Sequence, residues 1–569
     1  MAQMHWYTTL RNAINRIEGS EEWANSVVVG NKAICEKLRD IVIDRHIKTK
    51  KPCIVALDGY LGTEWGPIVE EVIGLLQEEG LDATAMDVAD LYKPEEWIET
   101  LIKKYTTDDP SYGYVCGDKL IKDLLDPSRV RAARRTMLDL KKNAPEKLAA
   151  VFCHGIGSAI KPLRETYDQI FFFDLSRVSV MMKKFDNTLR TPGQKKPEEV
   201  FWKKLMYFYY HILDKHKKEL LSVMDGYIDG NDGDELKLIP KEAYREITSA
   251  LIRYPLKFRR FMQPGNWGGL KHKTYFELPE LTNCAWDTAF YAPKQSCLVD
   301  IGMDCNLEIP FLNLQLQYPV DICGPYLAKK FPGLLPMIAC IDDGYFPKPV
   351  HHERSNMPIH LHPDGEYVRG NFNEHVGRYE TYYIVEAYEN ANTMLGFCED
   401  ADVEDFKRKV LDASEKGSKF DWTKYVKTWP SKEGDLYLIP SGTVHGTGGH
   451  QMILEMDTCP SNVGTEYSFF IYDFLRKSWD DVKKAFCANP VNLQIKHGFN
   501  QCRWYRREKW VKEHLLAKPR EIRSGKGWSE EQYDTYGPMP FHIERVHFED
   551  RIEMDTLGRF CHIVCLTKG

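Results

Sequence analysis

Apolar and polar residues alternate along this chain with two different rhythms. From Lys51 the stretch PCIVALDGYLGTEWGPIVEEVIGLLQEEG is an apolar run, a glycine-bearing turn and a helix-period segment. Three further apolar runs follow, ending ATAMD, LAAVFCH and IFFFD, the last after the helix-like PLRETYD. Strands alternating with helices predict a parallel α/β layer. Residues 1–48 before it read as amphipathic helices of mixed charge. Residues 195–260 read as helical, with EEVFWKKLMYFYYHILDKHKKELLSVM as one apolar-striped helix. The acidic YIDGNDGDEL reads as an exposed loop. It imitates a calcium loop but lacks the glutamate at the twelfth place.

From Trp267 onward short strands and turn clusters dominate, the pattern of a β-barrel. Residues 402–433 read as a polar helical insertion, and RFCHIVCLTKG reads as a strand entering a turn. The predicted organisation is a helical segment over 1–48, an α/β domain over 49–250 and a β domain over 251–569.

Composition narrows the function classes. At 569 residues with 43% hydrophobic and 28% charged positions, the chain has ample core for more than one globular domain. A formal charge of −7 argues against nucleic acid or an anionic membrane as the main partner. The fifteen cysteines show no C-x-x-C pair, a pattern of reduced thiols that implies a cytoplasmic setting. The first residues hold no apolar signal-peptide core, and no apolar run reaches eighteen residues. Oligomeric state is not legible.

The chemistry concentrates in MPIHLHPDGEYVRGNFNEHVGRYETYYIVE, Met357 to Glu386, and in GDLYLIPSGTVH, Gly434 to His445. His360 and His362, spaced i, i+2 in a strand, leave the same face. Glu380 opens the strand-like ETYYIVEA. His445 follows the turn Pro-Ser-Gly-Thr-Val. Three imidazoles and a carboxylate form a borderline-soft set suited to Zn²⁺ and acceptable to manganese, iron or cobalt. Glu366, three residues clear of His362, is a competing carboxylate, but it sits in a Pro-Asp-Gly turn. A lone strand histidine would be an ordinary hydrogen-bonded residue. It is the second stretch that turns the pair into a metal site.

Gly434-x5-Pro440-x-Gly442-x2-His445 has the form of the second cupin motif. HPDGEY, YETYYIVEAYENA and GDLYLIPSGTVHG together resemble the metal-site core of type I mannose-6-phosphate isomerases. GNWGG at 265–269 resembles that family's Trp-Gly-Gly. The resemblance implies a cupin (jelly-roll) barrel with His362, Glu380 and His445 as metal ligands and His360 where the family usually carries Gln. It implies a proton-transfer or orienting role for Glu455, ten residues after His445. Arg378 stands where the family has a substrate-side Lys; an arginine cannot carry the proton but can hold an anion. Ser468 stands where the family's active-site Arg belongs, and Arg476 is the nearest replacement.

The 49–250 domain is similar to the uridine kinase group of P-loop kinases in element order and in AVFCHGIGSAIKPLRETYDQIFFFD. Its P-loop is degenerate: counting from Gly59, Glu64, Trp65 and Gly66 stand where Gly, Lys and Ser/Thr are required. These likenesses imply a metal-dependent isomerase of mannose 6-phosphate and fructose 6-phosphate, with a kinase-like domain that does not use ATP. A cupin isomerase for another sugar or sugar phosphate, and a metal-bearing sugar-phosphate sensor without catalysis, are the competing readings.

Overall fold

The computed structural model describes all residues except 1–14, 18–20, 195, 198, 266, 280, 282, 292–293, 303, 331–334, 345–355, 459–465, 475–476, 481–484, 489–491 and 538. The chain divides into two compact units, and the division does not follow a single cut in sequence. One comprises Arg11–Phe258 with Pro293–Ile322; the other comprises Arg259–Ala292 with Cys323–Gly569.

The first unit is built on a seven-stranded sheet. Its strands are β1 (Val28–Val29), β2 (Cys53–Gly59), β3 (Asp82–Asp87), β4 (Leu148–His154), β5 (Gln169–Asp174), β6 (Gly226–Asp229) and β7 (Lys237–Pro240). In space they run β1-β7-β6-β5-β2-β4-β3. The five from β6 to β3 are parallel, and β7 and β1 extend them antiparallel. Every residue of β2 is buried, as a strand covered on both faces must be. Helices α1 (Asn31–Thr49), α2 (Gly66–Glu78), α3 (Pro127–Asn143) and α4 (Tyr210–Val223) accompany the strands.

The segment read as an acidic loop starts as strand β6: Gly226–Asp229 is wholly buried and pairs with β5. Asp229 accepts from the Glu308 backbone at 2.7 Å. The hairpin Ser296–Asp300/Asn306–Pro310 and the helix Phe311–Gln317 belong to this unit, and Asn313 donates to Asp174 at 2.8 Å.

The second unit holds a ten-stranded antiparallel sheet made of β8 (Phe261–Gln263), β9 (Trp286–Phe290), β10 (Pro336–Asp343), β11 (Ile359–Leu361), β12 (Glu380–Phe397), β13 (Val426–Pro430), β14 (Leu436–Ile439), β15 (His445–Thr458), β16 (Phe469–Tyr472) and β17 (Leu516–Ala517). The main path is β17-β14-β12-β15-β10-β9-β8; β11 bridges β15 and β16, and β13 pairs with β12. Two long strands, β12 and β15, run side by side and change their outer partners along their length. Register shifts between Ile384 and Glu386 and between Ala387 and Asn392 accompany those changes, as bulges that bend a sheet do. Tyr382, Ile384, Leu436, Leu438 and Ile453 pack in its core.

Two expectations for this half are corrected. Residues 402–433 form an α-helix over Val403–Lys416 and a 3-10 turn over Trp422–Lys424; β13, at the end of the segment, joins the sheet through Thr393↔Trp429 and its neighbours. The terminal RFCHIVCLTKG forms no strand. Phe560, Val564 and Leu566 are exposed, and an apolar run becomes a strand only where an open edge accepts it. No described helix is long and apolar enough to cross a membrane. The cysteines whose side chains are described are free thiols.

Candidate metal centre

Three pieces of backbone deliver the donors. Strand β11 presents His360, which lies directly across from His445 at the start of β15. His362 follows directly after β11 ends at Leu361. Glu380 is the first residue of β12, paired with Ile439 on one side and Asp457 on the other. Two hydrogen bonds lock these pieces together. Gly442 N donates to His362 O at 2.7 Å, and Ser441 Oγ donates to Arg378 O at 2.6 Å.

One donor atom from each of His360, His362, Glu380 and His445 lies within 4.8 Å of the others, and all four residues are buried. Glu380 Oε2 is 2.7 Å from His362 Nε2 and 2.8 Å from His445 Nε2. Each ring is oriented from behind. Nδ1 of His360 donates to Pro358 O (2.8 Å), that of His362 to Tyr467 O (3.2 Å) and that of His445 to Thr443 O (2.9 Å). A proton held on Nδ1 leaves the Nε2 lone pair for coordination.

Burial, with the neighbouring positive groups, depresses the basicity of His360 strongly and that of His362 to about 3. Neutral imidazole lone pairs aimed at a carboxylate oxygen repel it. A divalent cation among them removes the conflict, so the donor set fits a metal and its N₃O chemistry fits zinc.

Beside the donors lies a second buried group. Glu455 and Asp457, two apart on β15, face Tyr382 and Glu380 across the ladder. Arg378 Nη2 binds Glu455 at 2.6 Å and Asp457 at 2.5 Å and stands 3.8 Å from Glu380. Its Nη1 donates to Glu466 O at 3.0 Å. Burial and the carboxylates around it push the Glu455 carboxyl well up, against the pull of Arg378; burial raises Asp457 to about 7.

Comparisons with known proteins match parts of the chain. The family model described as "Domain of unknown function (DUF8485)" matches residues 30–253. Mannose-6-phosphate isomerase of Streptococcus mutans is 30% identical over 233 residues, which cover 41% of this chain and 64% of that protein. Probable mannose-6-phosphate isomerase GmuF of Bacillus subtilis is 30% identical over 134 residues, 23% of this chain and 39% of the relative. This chain therefore spans less than two thirds of the relatives it matches. The crystal structure of the Bacillus subtilis mannose 6-phosphate isomerase aligns at 20% identity over 50% of this chain and 77% of that one, with a TM-score of 0.35.

The structure thus brings together His360, His362, Glu380 and His445, with Glu455 and Arg378 adjoining. Glu366 lies apart, exposed in the first turn of α5 (Gly365–Phe372). Arg476 and Asn266 of the GNWGG stretch lie outside the described residues. Asp457 escaped the sequence reading. Its signal was present in Glu455-Met456-Asp457, two carboxylates at strand period with an apolar residue between.

Proposed function

We propose that this chain is a divalent-metal-dependent aldose–ketose isomerase that interconverts mannose 6-phosphate and fructose 6-phosphate. The observation that carries the reading is the convergence of three Nδ1-anchored histidines and Glu380 beside a buried Glu455. The relatives named mannose-6-phosphate isomerase support it. The metal, zinc in this reading, supplies Lewis-acid stabilisation of negative charge developing on the sugar oxygens.

The chain's own residues do the rest. Isomerisation moves a proton between C1 and C2 through an enediol, and Glu455 is the proposed carrier. Burial raises its carboxyl well above the ordinary glutamate value, the direction that makes a carboxylate a stronger base. Arg378 holds Glu455 in place by a charge-assisted hydrogen bond. The ring orientation imposed by Pro358, Tyr467 and Thr443 carbonyls keeps the donors preorganised. Arg476 is the proposed partner of the substrate phosphate.

One observation favours a second reading. The Arg378 guanidinium is spent on the protein's own carboxylates, so it does not serve as a phosphate clamp, and the substrate becomes another sugar or an unphosphorylated one. The α/β unit is proposed to bind no ATP. Asp58 is fully buried and accepts the Gly157 and Ala159 amides at 2.9 and 2.7 Å, supplying from within the negative charge a phosphate would bring. Trp65 is buried behind Gly59, and the cavity it shares with Asp87, Gly155 and Arg190 amounts to about 20 Å³.

Metal analysis followed by a coupled isomerase assay, with mannose 6-phosphate and mannose in parallel, tests the reading. Turnover of mannose 6-phosphate is expected. Turnover of mannose alone selects the second reading, and a metal-loaded protein that turns over neither sugar is the non-catalytic sensor instead.

A further inference from the structure

His445 owes its position to the turn Pro440–Thr443, and that turn is held by a residue sixty positions further on. Arg506 is 5% exposed, and among the described residues no carboxylate pairs with it. Burying a guanidinium without a counterion is costly unless its donors are satisfied. Here Nη1 serves the turn, donating to Pro440 O and to Ser441 O, each at 2.9 Å, and to Thr443 Oγ1, while Nε has no hydrogen-bond partner among the described residues. The rings of Tyr505, Trp510 and Tyr536 lie 5.3 to 5.9 Å from its guanidinium carbon and cover the charge.

The neighbouring residues reach the other ligand-bearing piece. Arg503 N donates to Gly442 O at 2.8 Å, while its Nη2 binds Asp364 Oδ2 at 2.8 Å. Gln501 Oε1 accepts from Asp364 N at 3.2 Å. Asp364 is two residues from His362. The segment 501–506 therefore braces both the His362 end of β11 and the turn before His445 from outside the donor cluster.

We infer that Arg506 is the positioning residue of the metal centre. It fixes the turn so that the Thr443 carbonyl holds Nδ1 of His445 and sends Nε2 toward the other three donors. The inference rests on the metal reading given above. A lysine at this place keeps the charge but ends one atom short of Nη1, the nitrogen that reaches all three acceptors, and loses the planar face that the three rings cover.

The test uses the full chain, stripped of metal and titrated with Zn²⁺ against a chromophoric chelator. The parent should take up one equivalent; if it takes up none, the metal reading fails before Arg506 is at issue. R506K and R506A are then expected to bind zinc about 10–100-fold more weakly, the range for residues that orient ligands from behind. The Co²⁺-loaded forms should show displaced visible bands, and guanidinium added to R506A should restore part of the affinity. Circular dichroism melting of the metal-free variants separates folding from positioning. Where R506A does not fold, R506K carries the test. The inference is overturned if folded variants bind zinc with parental affinity. It is equally overturned if their loss follows the melting temperature alone and guanidinium restores none of it.

Discussion

At the scale of single residues, the site separates groups that hold the metal from groups that act beside it. Glu455→Gln should lower turnover by about 10²–10⁴ with metal content near that of the parent, because it removes a proton carrier and no ligand. His445→Ala should lose metal and activity together. Parental turnover in Glu455→Gln would place the proton carrier elsewhere. Arg378 carries a different expectation. It is enclosed by Glu455, Asp457 and Glu380, so Arg378→Ala strands buried carboxylates and should cost about 3–5 kcal/mol in denaturant unfolding. A mere rise in KM at unchanged stability would restore the phosphate-clamp role.

Asp457 adds a pH signature. Burial raises its carboxyl to about 7 from the ordinary 3.8, so the folded state holds a proton that the unfolded chain releases. The stability this group contributes is complete below about pH 4 and is lost as pH rises toward 7. Asn at 457 does not titrate. In metal-free protein, Asp457→Asn should therefore gain on the parent between pH 4 and pH 8. Melting curves at the two pH values check the sign.

At the scale of elements, the turn between β14 and β15 decides the geometry. Gly442 has φ 83°, a left-handed conformation, and a Cβ there would lie 2.6 Å from Gln501 O. Gly442→Ala thus meets both a conformational and a steric penalty, about 1–3 kcal/mol, and displaces the turn that carries His445. Thermal unfolding combined with metal analysis should show lower stability and weaker metal retention. Full metal retention at reduced stability would mean that the turn tolerates the shift.

At the scale of the whole molecule, two compact units of different construction share one chain. Counted from Gly59 as a phosphate-binding loop, the parallel α/β unit carries Glu64 and Trp65 where glycine and lysine would be required. Calorimetry with ATP and Mg²⁺ should accordingly register no binding; tight magnesium-dependent binding would make the protein bifunctional.

Much of this was legible in the linear chain. The i, i+2 histidines needed only strand period to share a face, and the PSGTVH turn announced a further donor. The buried runs IVALDG, AAVFCH and IFFFD announced parallel strands because a strand covered on both sides must be apolar throughout. Other features depended on contacts between distant residues. Gly226–Asp229 is a strand because β5 and β7 flank it, a fact its acidic end concealed. Residues 293–322 pack with the α/β unit although they lie in sequence amid β-rich segments. Local composition sets what a segment can form and which chemistry its side chains offer. Pairing partners and burial, set by residues far away in sequence, choose among those forms. They also made Arg378 an internal counterion, and they set Arg506 behind His445.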